Sequence, residues 1–99
     1  MAIRRIEVLN GRFEPLRTRV GAEWVMRVTV DARNVQQRAL PVQARVGRQP
    51  MRAVVTSPLG TGFVGFLERM PRDGDRLYVG YAGAGEIETS VVYRAPGVA

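Results

Sequence analysis

The chain has 99 residues, nine acidic side chains and 15 basic ones, every basic one an arginine, for a formal charge of +6. It contains no histidine, cysteine or lysine, so the usual general base near neutral pH, the soft nucleophile and metal ligand, and the Schiff-base amine are all missing. This composition argues against zinc sites, disulfide frameworks and most catalytic mechanisms, while 45% hydrophobic residues suit one globular domain over 1–99.

In chain order, the first predicted strand covers 3–9, where Ile6 and Val8 alternate with polar neighbours. Arg4-Arg5 precedes an interrupted apolar stretch, which fits neither a signal peptide nor a membrane span. The expected location is cytoplasmic, or within a larger particle. Asn10-Gly11 reads as a turn. The stretch from Gly11 to Ala22 has a weak pattern, with room for a bent or split edge strand around Leu16 to Val20.

The next strand, 23–31, is the clearest. Trp24, Met26, Val28 and Val30 share one face, and Glu23, Val25, Arg27, Thr29 and Asp31 share the other, the period-two pattern of a half-buried strand. Arg33 to Arg38 is polar and reads as a loop. In the strand 39–46, Leu40, Val42, Ala44 and Val46 point in, and Pro41 suits an edge or a strand start. Gly47 to Pro50 is a turn. In 51–56, Met51, Ala53 and Val55 are expected inward, with Arg52, Val54 and Thr56 opposite.

Pro58-Leu59-Gly60 turns the chain into 62–68, where Phe63, Gly65 and Leu67 alternate with Val64 and Phe66. Pro71 to Asp75 turns it again into 76–82, with Leu77, Val79 and Tyr81 on one face. Gly83-Ala84-Gly85 leads into 86–94, with Ile87, Thr89, Val91 and Tyr93 on one face. Residues 95–99 form a frayed tail. No window carries a helical period. The expected fold is all-β, a seven-stranded antiparallel β-sandwich, with a small barrel of the OB type as the alternative. The expected core comprises Trp24, Met26, Val28, Val30, Val42, Val55, Leu77, Val79 and Val91.

This order of strands and turns resembles the immunoglobulin-like sandwiches of the early-set type, in particular the IPT/TIG-like domains. The resemblance rests on four features: the opening Ile6-Glu7-Val8-Leu9-Asn10-Gly11, the long strand from Trp24 into a polar loop at Asn34, the hairpin Val46-Gly47-Arg48-Gln49-Pro50, and the late Pro71-Arg72-Asp73-Gly74-Asp75-Arg76-Leu77-Tyr78-Val79. The Gly-Gly dipeptide and the paired proline of that group are missing here. The resemblance implies a binding or spacer module with no catalytic residues to carry over.

Other motifs have plainer readings. Gly60-Thr61-Gly62-Phe63-Val64-Gly65 matches Gly-x-Gly-x-x-Gly, but a dinucleotide site needs a following helix, and Pro71 arrives six residues after Gly65. Asp73-Gly74-Asp75 with Glu86 and Glu88 offers oxygens for calcium, although two aspartates around a glycine more often make a turn. Ser57 and Ser90 have no histidine or lysine to activate them. A two-carboxylate mechanism has acids to draw on, but they neighbour arginines or lie in turns. No cofactor and no metal are expected.

Arg17 and Arg19 share a face if their segment is extended, and Arg27, Arg45 and Arg52 fall on outward faces of their strands. If they converge they make a cationic stripe, and guanidinium forks pair well with carboxylates and phosphates. The plainer reading is a solvated surface with Glu7, Glu23, Glu68 and Glu86 as partial partners. The expected function is therefore a non-catalytic protein–protein interaction or assembly module: an adaptor, or a repeated structural subunit such as a virion decoration protein. It would work through a protein partner or self-association, with no membrane and no small-molecule cofactor. The alternative is weakly specific nucleic-acid binding through the arginine stripe.

Overall fold

The computed structural model describes residues 5–17, 24–35 and 41–97. Within them the chain forms eight strands: β1 (Glu7–Pro15), β2 (Met26–Arg33), β3 (Val42–Val46), β4 (Gln49–Pro50), β5 (Arg52–Thr56), β6 (Gly62–Leu67), β7 (Arg76–Tyr81) and β8 (Glu86–Val92). They make two antiparallel four-stranded sheets, ordered β1-β2-β6-β5 (sheet A) and β4-β3-β7-β8 (sheet B). No helix occurs among the described residues, and no backbone pairing closes the two sheets into a barrel. The strand added to the expected seven is β4, which pairs its two residues with Arg45 and Val46 across the Gly47-Arg48 turn.

The inward faces meet in one core. Met26, Val28, Val30, Phe63 and Leu67 come from sheet A, and Val42, Ala44, Val46, Leu77, Val79 and Tyr81 from sheet B, all buried. Burying a side chain of this kind contributes about 1.5–3 kcal/mol. The polar groups that enter the core are satisfied. The Thr89 hydroxyl donates to the Leu77 carbonyl at 2.8 Å and accepts from the Val91 amide at 3.2 Å. The Tyr81 hydroxyl donates to the Asn34 carbonyl at 2.8 Å.

Five expectations are corrected here. Asn10-Gly11 is no turn, because β1 runs straight through it to Pro15, with a bulge near Leu9. Gly11 is needed for space: a Cβ there would lie 2.8 Å from Val91 Cγ1, where β1 crosses the rim of sheet B. Val55 is not core but 68% exposed. A bulge between Arg52 and Val55, with Ala53 at φ 51°, inserts one residue and reverses the face of everything after it. Val54, expected outside, packs against the core in its place.

Trp24 is half-buried rather than core. The chain bends at Val25, whose amide bonds to the Leu67 carbonyl at 2.9 Å and whose carbonyl accepts from Leu16 at 2.9 Å. Val25 turns inward, and Trp24 is carried to the outer side of sheet A. In the predicted tail, Ala95 is tied by its amide to Asp73 Oδ1 at 2.9 Å and packs on the core.

Of the remaining expected core positions, Met26, Val28, Val30, Val42, Leu77 and Val79 are buried, and Val91 is half-buried against the core. The strand proposed around Leu16 to Val20 and the end of the Arg33 to Arg38 loop fall largely outside the described residues, as does Leu40.

Candidate functional site

The solvent side of sheet A is built by register. Glu14 lies opposite Arg27, Arg27 opposite Phe66, and Phe66 opposite Arg52. Residues directly opposite in a sheet project to the same side, so these four form one cross-strand row on the outer face. The next outward row is Arg12, Thr29, Val64 and Val55. Trp24 stacks on Phe66 with ring centroids 5.9 Å apart and planes 25° apart.

The result is an apolar strip, Trp24–Phe66–Val64–Val55, that no described element covers. Beside it a shallow groove of about 360 Å³ runs between Thr29, Asp31, Val55, Pro58 and Val64. Leu59, in the turn after β5, is 86% exposed.

Ion pairs frame the strip. Arg27 Nη2 meets Glu14 Oε2 at 2.5 Å, and Arg52 Nε meets Glu68 Oε1 at 2.9 Å. The Arg27 hydrogen bond holds the Glu14 carboxyl below the usual carboxylate range, with a smaller pull from Arg12. Each of these arginines is thus engaged by a carboxylate, and the Phe66 ring stacks with Trp24.

The outer face of sheet B uses the same residue types differently. Arg45, opposite Tyr78, lies over its ring with the guanidinium carbon 3.9 Å from the centroid. Glu86 holds that guanidinium through Nε at 2.9 Å and Nη2 at 2.6 Å, and the Gly47 carbonyl accepts from Nη1. This bonding raises the Arg45 pKa and lowers that of Glu86. Arg76 pairs with Glu88 at 3.2 Å. The aromatic ring on this side is capped by its own chain.

The candidate arginines are not all on one face. Arg27 and Arg52 lie on sheet A and Arg45 on sheet B, each held by a glutamate. Arg17 is exposed after β1, and Arg19 lies outside the described residues. Three further arginines, none in an ion pair with a described carboxylate, come together elsewhere. Arg48, Arg69 and Arg72 line a groove of about 950 Å³ between the β3–β4 turn and the loop before β7. That loop is held firmly. Gln49 donates to the Arg69 carbonyl at 2.9 Å and accepts from its amide at 2.8 Å, and Asp75 Oδ2 accepts from the Arg72 amide at 2.8 Å. Sequence alternation could not find this cluster, because all three arginines sit in turns.

The remaining motifs have structural uses. Gly60 takes φ 72° in the turn after β5. A Cβ on Gly62 would lie 2.2 Å from the Val30 carbonyl oxygen, and one on Gly65 2.5 Å from Met51 Cε. The glycine motif thus closes a turn and lets neighbours pack, and it runs into a strand instead of a helix. Asp73 and Asp75 cap loop amides, while Glu86 and Glu88 hold arginines. No group of three or more histidine, cysteine, aspartate or glutamate side chains placed to hold a metal occurs among the described residues. Ser57 Oγ lies 3.0 Å from Thr61 Oγ1 and accepts from the Leu59 amide at 3.3 Å, within its own turn.

No helix among the described residues is long and apolar enough to cross a membrane. No protein-family model, curated protein or solved structure matches the chain, so the outer face of sheet A is read from its own geometry.

Proposed function

We propose that the protein is a non-catalytic interaction module that docks a protein surface on the outer face of sheet A. The observation that carries this reading is the Trp24–Phe66 stack continuing into Val64 and the 68%-exposed Val55 on the solvent side of a sheet. Half-buried aromatic and aliphatic side chains running into an exposed valine on the solvent side of a sheet suit a contact site, and aromatic residues flanked by arginines are typical of the energetic centres of such sites. Docking by a face agrees with how the sheet edges are built. β1, β5 and β8 each carry a bulge and β4 has two residues, features that blunt strand-to-strand pairing.

An immunoglobulin-like architecture fits this role. Lettered A, B, C, C′, D, E, F and G in chain order, the strands give sheets ABED and C′CFG, the arrangement of that fold with one added strand.

The test compares the wild type with Phe66→Asp and with Arg45→Gln as a control on the opposite face. Assembly, or a discrete protein retained from native lysate, should persist in Arg45→Gln and be lost in Phe66→Asp. A wild-type chain that stays monomeric and retains no protein overturns the reading.

The Arg48–Arg69–Arg72 groove supports a second reading, contact with a polyanion such as nucleic acid. It predicts retention on a DNA or RNA column that falls steeply with salt and disappears when all three arginines become alanine. Absence of retention at low salt removes it.

A further inference from the structure

The row Glu14–Arg27–Phe66–Arg52 is self-complementary. Turned over about a two-fold axis parallel to the strands and passing between β2 and β6, it lies on its own copy in reverse order. Glu14 then faces Arg52 of the second copy, Arg27 faces Phe66, and each contact occurs twice. The second row behaves the same way. Val55 meets the Arg12 stem and Val64 meets Thr29, so no like charges oppose. The Trp24–Phe66 stack lies beside the axis and meets its own copy.

A perpendicular axis running along this row would lay Glu14 on Glu14 and Arg52 on Arg52, which like charges disfavour, whereas the strand-parallel axis pairs opposite charges within the row itself. We propose, resting on the docking reading above, that the occupant of this face is a second copy of the chain, packed face to face about the strand-parallel axis. Isologous contacts of this type are the commonest way soluble chains pair, and sheets stacked within about 30° of alignment pack well.

Four strands and three outward rows, the third through Asn10, Asp31 and Gly62, span about 20 Å by about 20 Å. About 400 Å² per partner is below the standard size of stable interfaces and suits a weak, reversible dimer, for which a dissociation constant in the micromolar range or above is expected. The arginines already engaged inside the chain are not an obstacle. Exposed ion pairs of this kind are worth little and exchange readily.

The experiment is sedimentation equilibrium from about 1 to about 500 μM, a range that brackets such an affinity, with emission from Trp24, the single tryptophan, followed on dilution. The variants are Glu14→Arg, Arg52→Glu, their double combination, and Phe66→Ser as a charge-neutral check. The wild type should dimerise. Each single charge reversal and Phe66→Ser should weaken the homodimer about tenfold or more, because a reversal repels in both symmetric contacts.

The double variant should recover to within about threefold of the wild type, since the two reversals compensate across the axis. It should do so even though both intrachain pairs, Glu14–Arg27 and Arg52–Glu68, are broken in it. An equimolar mixture of the two single variants should form a heterodimer. That mixture needs no double variant to fold.

A monomeric wild type at the highest concentration overturns the proposal, as does a mixture that fails to pair while both singles unfold like the wild type. If the wild type is monomeric yet retains a lysate protein that Phe66→Asp loses, the docking reading stands and the second copy falls. If neither occurs, both fall.

Discussion

The two outer faces of this molecule are made from the same three ingredients, an aromatic ring flanked by arginine and glutamate, and they reach opposite ends. On sheet B, Arg45 lies on Tyr78 and Glu86 locks it there, so the chain satisfies its own aromatic face. On sheet A, Glu14 and Glu68 hold Arg27 and Arg52, and half-buried Trp24 stacks on Phe66. The position of a carboxylate thus decides whether an aromatic residue is a closed surface or an open one. With glutamate beyond the arginine and ring, as on sheet B, the cation is clamped over the face. With glutamate on the flank, as on sheet A, the guanidinium is engaged beside the ring.

The largest effects that sharpen this contrast come from beneath the faces. Leu67, next to Phe66, and Leu77, next to Tyr78, both point inward and are fully buried. Leu67→Ala and Leu77→Ala should each cost about 2–5 kcal/mol in urea unfolding. The two sheets share one core, so the difference between the faces is not a difference in what supports them. Next come the arginines. Arg45→Gln should destabilise by about 1 kcal/mol through the lost cation–π contact, whereas Arg27→Gln should cost no more than about 0.5 kcal/mol. Equal losses on the two faces would break the comparison.

Ala53→Gly should stabilise by up to about 1 kcal/mol, since residue 53 holds φ 51° at the bulge that turns Val55 outward. Ala53→Val should lower the unfolding midpoint.

The smallest effect is acid dependence. Glu14 and Glu86 both have lowered folded-state pKa values. Their stabilisation is present above the unfolded carboxylate pKa and is lost as pH falls through the folded one. The melting temperatures of Glu86→Gln and the wild type should therefore differ at neutral pH and converge in acid, and Glu14→Gln should behave likewise.

Alternation in the sequence reads the interior of each strand correctly wherever the strand is regular. Met26, Val28 and Val30 on β2, and Leu77, Val79 and Tyr81 on β7, are buried as their spacing requires. It fails where one residue shifts the phase. Ala53 sends Val55 out, the bend at Val25 sends Trp24 out, and the bulge near Leu9 carries β1 past an apparent turn. A period-two pattern has no memory of such insertions, because residues on either side of a bulge look equally regular.

The candidate site suffers from the same limit. Arg27, Arg45 and Arg52 are recognisable as outward-facing, and Glu68 and Glu86 as partners in general. The specific pairings join residues 13, 41 and 16 positions apart, and those depend on strand order. The outward Phe66 follows from its alternation with Gly65 and Leu67, but the stacking of Trp24 on it required the bend.

Gly11 and Val91 bring the first strand against the last, so this close contact spans almost the whole described chain. Strands β1, β2, β5 and β6 can pair into sheet A once residue 67 is available, yet the seam beside Phe13 and Tyr93, whose rings meet edge to face at 5.2 Å, waits for β8. During synthesis the molecule must hold a half-built core until its final strand emerges. A long-range closure of this kind is the slow sort of step for an all-β chain.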